Sequence, residues 1–365
     1  MAILTKDEAE ALLKKVLSYS KADECEVNLS GTNNGNIRYA RNAVSTSGGV
    51  STTNLVVSSA FGKKLGVASI NELDDPSLEK VVRRAEELAQ LAPENPEFVS
   101  FLGPQKYAAS TTYVPATAAI TPKTRADAVA QSLQVAKDAK LVAAGFLEDN
   151  NGFAAMMNSK GLFAYNTSTN VNFSVTMRTE DGKGSGYATR GYNDINKLDT
   201  NVVTKIAAEK GLKSATAQAI EPGKYTVILE PAAAAVLIEN IMFSLDARQA
   251  DEGRSFLSKP GGKTSLGEKL VDERITMYSD PWNPELPTSP WAGDGRPQEK
   301  VTWIDKGVVK NLTYSRYWAQ LKGVKAVPSP DAVIIEGGTK SLDELIKGTK
   351  KGILVTRLWY IRNVD

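Results

Sequence analysis

Histidine, the side chain most used to activate nucleophiles and to hold transition metals, is missing from all 365 residues. Within this sequence that excludes Ser-His-Asp and Cys-His catalysis and any zinc site that needs imidazole. One cysteine, Cys25, leaves no intrachain disulfide, no thiolate cluster and no CxxC redox pair. It stands between Glu24 and Glu26 at a strand start. Carboxylates there raise a thiol's pKa and no base stands ready, so Cys25 reads as structural. The acidic pairs Asp74/Asp75, Asp251/Glu252 and Asp272/Glu273 have the right groups for acid–base work. Adjacent carboxylates more often cap helices or sit on solvated faces, and no EF-hand spacing accompanies them.

Three other stretches have suggestive residue types. GGKTS at 261–265 is similar to the end of a phosphate-binding loop, but Leu257 stands where that motif needs glycine, and its surroundings are turn-rich. A basic surface loop is the better reading. Gly182, Gly184 and Gly186 do not make GxGxxG, and they lie between strands; a hairpin tip or a close backbone contact is expected. The run DARQADEGRSF is denser. Arg248 and Arg254 bracket Asp251 and Glu252, with Phe256 beyond, which predicts either an internal ion-pair network or a peptide- or partner-binding element.

The elements that must position these residues follow from period and punctuation. Thr5 and Glu8 form a capping box before the stripe Leu12, Leu13, Val16, Leu17. From Glu26 to Ser69, short β-branched runs separated by Asn and Gly predict a meander of about four strands. Asp75-Pro76 starts a second helix, and the Pro-rich stretch 92–118 marks a boundary. Thr121-Pro122 opens a helix to about Lys140; four strand-like runs follow, and then a helix near 200–214, repeating the helix-and-meander components of the first unit. Glu221-Pro222-Gly223 is a second boundary. Beyond it come the strand YTVILE, a helix over 231–248 packing Leu237, Ile238, Ile241, Met242 and Leu245 inward, and a hairpin around Asp305–Gly307. A short helix opened by Ser341 and a final strand in GILVTRLWYIRNVD complete the chain. The reading is an α+β fold: an N-terminal α+β domain (1–100), a middle α+β unit packed with it (116–220) and a mostly-β C-terminal domain (221–365). Ending on Asp365 directly after an apolar strand suggests further chain beyond.

Lys+Arg 44 against Asp+Glu 42 gives net +2, too balanced for a nucleic-acid binder by bulk charge. The N-terminus lacks a signal-peptide core, and no window reaches the roughly 20 apolar residues of a membrane span. The sequons at Asn28, Asn166 and Asn311 therefore carry little meaning, and a cytoplasmic location is expected.

Taken in order and spacing, NIRYARNAVSTS, the run from NLVVSSAFGKKLGVAS to AQLAP, EPGKYTVILEPAAAAVLIENI, DEGRSF and SLDELIKGTKKGILVTRLWYIRNVD resemble the TldD/PmbA family, also called the modulator of DNA gyrase family. The resemblance implies a metallopeptidase relative. The family's catalytic TldD arm carries HExxxH on the helix after a strand like YTVILE, with a further cysteine ligand near the C-terminus. Laid on this sequence, the motif falls on Ile238, Glu239, Asn240, Ile241, Met242 and Phe243. Only Glu239 matches, Ile238 and Phe243 have no lone pair to give a cation, and Cys25 is at the wrong end. The resemblance therefore implies a PmbA/TldE-type chain with no catalytic residue or metal of its own. It implies zinc in a TldD-type partner, a heterodimer acting on unfolded or small peptides, and no direct nucleic-acid contact. Two other readings stay open: an independent metallopeptidase with a non-histidine site, and a homodimeric peptide-binding module.

Overall fold

The computed structural model describes residues 3–359 and 361. Its chain opens with α1 (Lys6–Tyr19), then β1 (Glu24–Ala40), β2 (Ala43–Phe61), β3 (Lys64–Ile70) and α2 (Asp75–Leu91). After a long irregular connection and one turn of helix, α3 (Pro115–Ala118), the pattern recurs. It runs α4 (Pro122–Asp138), β4 (Val142–Asn158), β5 (Phe163–Arg178), β6 (Ser185–Tyr192) and α5 (Thr200–Lys213). The two meanders share one antiparallel sheet of order β3-β2-β1-β4-β5-β6. β1 and β4 join them, with Asn33 opposite Asn151 near mid-ladder.

The strands are longer and fewer than the sequence predicts. EVNLS and NIRYA are parts of β1, LVAAGFLE and GFAAMMN of β4, and GLFAYNTS and NVNFSVTMRT of β5, so the first meander has three strands. Asn and Gly fail to interrupt them because their backbone groups are paired on both sides, Asn34 with Val50 and with Asn150. Local turn preference yields where neighbouring strands already satisfy every N–H and C=O. The cap of α2 is Asp74, one residue before the expected Asp75, accepting from the Ser77 N–H with Pro76 in the first turn.

All four long helices pack on one face of the sheet. Val27, Leu29, Leu55 and Val57 meet Leu13, Val16, Leu78 and Val82 of α1 and α2. Leu147, Phe173, Val175 and Met177 meet Val129, Val203 and Ala207 of α4 and α5. Each of these side chains but Ala207 contributes about 1.5–3 kcal/mol by leaving water. Between the two clusters lies a buried ion pair, Arg125 Nη1 to Asp149 Oδ1 at 2.7 Å, its guanidinium occupying the space over Gly35. Gly186 is glycine for a packing reason: a Cβ there would lie 2.1 Å from the Ala207 carbonyl oxygen of α5.

The C-terminal part is richer in strands, but they are short. It comprises β7 (Thr226–Leu229), α6 (Pro231–Phe243), α7 (Ala247–Asp251), β8 (Ser258–Lys259), β9 (Lys263–Thr264) and β10 (Met277–Ser279). β11 (Val301–Asp305), β12 (Val308–Val309), α8 (Arg316–Lys322), β13 (Val333–Ile335), α9 (Leu342–Lys347) and β14 (Gly352–Val355) follow. A sheet of order β12-β11-β10-β13 forms its centre over Trp303, Leu245, Leu257 and Met277, while β14 pairs in parallel with β7. The hairpin turn falls at Lys306 and Gly307, both with positive φ, as a two-residue turn requires. The final strand covers four residues only, and Tyr360 and residues 362–365 of that stretch lie outside the described residues.

The helix expected over 231–248 is two. α6 stops at Phe243 because residues 245–247 pair instead with Thr313: the Thr313 N–H donates to the Leu245 carbonyl at 2.7 Å and the Ala247 N–H to that of Thr313 at 3.0 Å. Asp246 then restarts the chain as α7 by accepting from the Gln249 N–H. This break positions the candidate site.

Candidate functional site

Where α6 ends, a cleft of about 650 Å³ opens between it and β13. Ile238, Glu239, Met242 and Phe243 form one wall; Val333 and Ile335 form the other, and Asp246, Gln249, Thr313 and Asp331 line the rest. A neighbouring hollow of about 460 Å³ shares Asp246, Thr313, Ser329, Pro330 and Asp331 with it, so the two run together. Among the described residues, three carboxylates and no lysine or arginine line the larger cleft. The field there favours a cationic or ammonium-bearing guest. Asp246 is engaged as the α7 cap, and Asp331 accepts from the Thr288 hydroxyl at 2.6 Å.

β13 is an edge strand. The Glu336 N–H donates to Thr276 and the Asp280 N–H to the Ala332 carbonyl, so even-numbered residues bond inward to β10. By strand alternation the backbone groups of Val333 and Ile335 face away from β10. An extended chain laid there can add one more strand to the sheet.

On α6 the positions singled out by sequence lie together. Ile238 packs partly against the C-terminal core, as do Ile241 and Met242, and Leu245 is fully buried. Leu237, expected inward, is 39% exposed, although Ala233 one turn earlier on the same side of the helix is buried. Glu239 is exposed, and Phe243 is 80% exposed at the helix end. Neither Ile238 nor Phe243 offers a lone pair, and no three His, Cys, Asp or Glu among the described residues could hold a metal ion. These residues do not fit a zinc ion.

The DARQADEGRSF residues form an internal network. Arg248 makes two bonds to Glu97 at 2.7 and 2.8 Å and one to Glu252 at 2.9 Å, and its guanidinium lies 5.1 Å from the Trp318 ring centroid. Glu252 also accepts from Arg254, while Asp251 accepts from the Trp318 indole at 2.8 Å and pairs with Lys322. Hydrogen bonds from Arg248 and Arg254 hold the Glu252 carboxyl below its ordinary value. Phe256, 56% exposed, remains open. This network ties α7 to the connection after α2 rather than to the cleft, which Gln249 and the cap Asp246 reach.

The other candidates resolve as structure. Cys25 is 1% exposed; burial pushes its thiol up, and Glu86 of α2 adds to Glu26 where the sequence had suggested Glu24. In GGKTS, Gly261 and Gly262 lie in the exposed turn of the β8–β9 hairpin, Lys263 and Thr264 form β9, and Ser265 is buried. Asp272 pairs with Arg274. The sequence missed Thr313, Asp331 and the β13 edge, because no spacing links residues roughly 70 to 90 positions downstream to α6.

Similarity to known families agrees with this geometry. Three domain profiles match in order: PmbA/TldA metallopeptidase domain 1 over residues 25–89, the central domain over 119–215 and the C-terminal domain over 222–365. The chain belongs to the PmbA/TldD family. Curated relatives include a metalloprotease of Methanothermobacter thermautotrophicus, 23% identical over 224 residues, covering 56% of this chain and 48% of that one. An Archaeoglobus fulgidus metalloprotease is 30% identical over 112 residues, 30% of this chain and 25% of its own. The chain thus spans half or less of the length of these relatives. Among solved structures, TldE of Thermococcus kodakarensis superposes with a TM-score of 0.85 at 20% identity, covering 97% of this chain and 83% of that one. A Thermotoga maritima protein described as a modulator of a DNA gyrase gives 0.85 at 20%, covering 96% and 82%. A Bacteroides thetaiotaomicron protein so described gives 0.84 at 23%, covering 97% and 83%. At these identities the PmbA/TldD neighbours establish the fold. No helix among the described residues is long and apolar enough to cross a membrane.

Proposed function

We propose that this chain is a non-catalytic, TldE/PmbA-type subunit of a cytoplasmic TldD/TldE-type metallopeptidase. In this reading it holds an extended peptide in the cleft between α6 and β13 while a TldD-type partner supplies the zinc. The observation that carries it is the pairing of two features at one place. The helix that the family resemblance assigns to metal binding has Ile238 and Phe243 at the ligand positions, yet an open strand edge and a cleft of about 650 Å³ stand beside it. Backbone hydrogen bonding along β13 is tolerant of peptide sequence, and the acidic lining favours the amino end or basic side chains of the guest. This chain's own residues would bind and orient the peptide.

The test is co-expression with a TldD-type chain, followed by size-exclusion chromatography, zinc quantification and a peptide-cleavage assay with and without chelator. A stable complex whose zinc and turnover both depend on the partner is expected. Stoichiometric zinc and chelator-sensitive cleavage by this chain alone would refute the proposal; self-association alone, with no partner complex, would favour the homodimeric binding module. Ile335→Pro removes one outward N–H from an edge where proline is tolerated, and the preceding Ile334 is already extended. It should weaken peptide binding about three- to tenfold while the protein's melting stays near wild type.

A further inference from the structure

Away from α6, the open face of the six-stranded sheet carries a pocket of about 520 Å³ whose lining, among the described residues, has two arginines and no acidic residue. Arg38 of β1 faces Phe146 of β4, which faces Ser174 of β5; one row along, Thr176 faces Tyr187 of β6. Arg357, just past β14, closes the pocket by lying over the Tyr187 ring at 3.9 Å from its centroid. Neither arginine has a carboxylate within ion-pair distance among the described residues. Glu148, next along that face of β4, stands opposite Asn36 and Asn172 and accepts from the Asn172 amide. In a chain of net charge +2, two guanidiniums left over the same hollow are a local excess rather than a reflection of bulk composition.

We propose that this pocket binds an oxyanion, a carboxylate or a phosphate, carried on a small apolar group. A guanidinium stacked on an aromatic face keeps its N–H edge free, and that edge matches the two oxygens of a carboxylate or phosphate. Arg38 supplies the second charge from the sheet, and the hydroxyls of Ser174 and Thr176 are further donors. Phe146 and Tyr187 wall the pocket and take the apolar part of the ligand. The inference stands apart from the peptidase reading, since none of these residues lines the cleft at α6.

Calorimetric or NMR titration of the full chain at low salt tests it with three probes: inorganic phosphate, the tripeptide Ala-Ala-Phe with a free C-terminal carboxylate, and its C-terminal amide. The expected result is saturable binding of the anions that weakens as salt rises, with the amide about tenfold weaker than the acid. Arg38→Gln and Arg357→Gln should each weaken the anions about tenfold, and Arg38→Lys, which keeps the charge, should recover part of the loss. Tighter binding of the acid than of phosphate assigns the site to a peptide terminus, and the reverse assigns it to a phosphorylated ligand. Absence of saturable anion binding, equal binding of acid and amide, or binding untouched in folded Arg38→Gln and Arg357→Gln variants would overturn the proposal.

Discussion

The sheet-and-helix body and the C-terminal part solve the same problem with unequal means. In the body, strands of up to 19 residues are covered on one face by four helices, and Phe173, Val171, Leu29 and Leu55 are at most 1% exposed. In the C-terminal part, strands of two to five residues surround one small core, and β7, β14, α6 and α9 leave Val227, Leu354, Phe243 and Ile346 between 39% and 80% exposed. Long ladders and packed helices make the body a rigid platform. Short strands with open edges make the other part a surface suited to receiving another chain. The contrast teaches that long ladders and open strand edges are separated along this sequence: the first fill the body, the second gather in the C-terminal part.

Four substitutions would break or sharpen the contrast. Phe173→Ala, at the centre of the body, should cost about 3–5 kcal/mol by urea melting. A loss as small as that of an exposed residue would show that the body is not the stable unit. Gly186→Ala places a methyl against the Ala207 carbonyl on α5 and should cost about 1–3 kcal/mol, because backbone rather than a side-chain tip must move.

The third concerns the seam between the two parts, where neighbouring glutamates on β1 diverge. Burial raises the Glu26 carboxyl above its ordinary value against opposing hydrogen bonds from Asn158 and Asn28. Glu24 is also desolvated, but donors on Ser100, Lys160 and the Phe101 N–H hold it below. The signs are therefore opposite. Glu26 binds its proton more tightly folded than unfolded, so its contribution falls as pH rises from the ordinary glutamate value through the raised one. Glu24 contributes fully above the ordinary value and loses that contribution as pH falls through its lowered one. Glu26→Gln should thus gain stability relative to wild type between pH 4 and pH 8, read from paired melts. A flat difference across that interval would contradict the desolvation argument. Smallest of all, Phe243→Ser should change stability by no more than about 0.5 kcal/mol while reducing association with a partner chain. A large loss of stability would mean that the end of α6 is part of the core.

Much of the body was legible because its signals are local. Thr5–Glu8 forms the capping box that its spacing announces, and Leu13, Val16, Leu78 and Val82 are buried on the faces their period marks. Misreadings came where a distant partner overrode a local preference. Asn33 and Asn34 read as breaks but sit inside a ladder closed from both sides, and Leu245–Ala247 reads as helix but pairs with Thr313. At the site, the sequence marked Ile238, Glu239 and Phe243 on α6 but gave no sign of the β13 wall opposite. It also grouped Arg248, Asp251, Glu252 and Arg254 without showing Glu97, Trp318 and Lys322, which satisfy them.

By itself the sequence determined that these 365 residues carry no imidazole and which family they resemble. A missing imidazole cannot be restored by folding, and a long series of motifs in order is a property of the chain. Only the tertiary structure decided what the retained groups do. An edge strand, an acid-lined cleft and two arginines over one hollow, with no carboxylate partner among the described residues, arise from residues far apart in the chain. Whether a polar group is satisfied or left open depends on what the packed neighbours offer it.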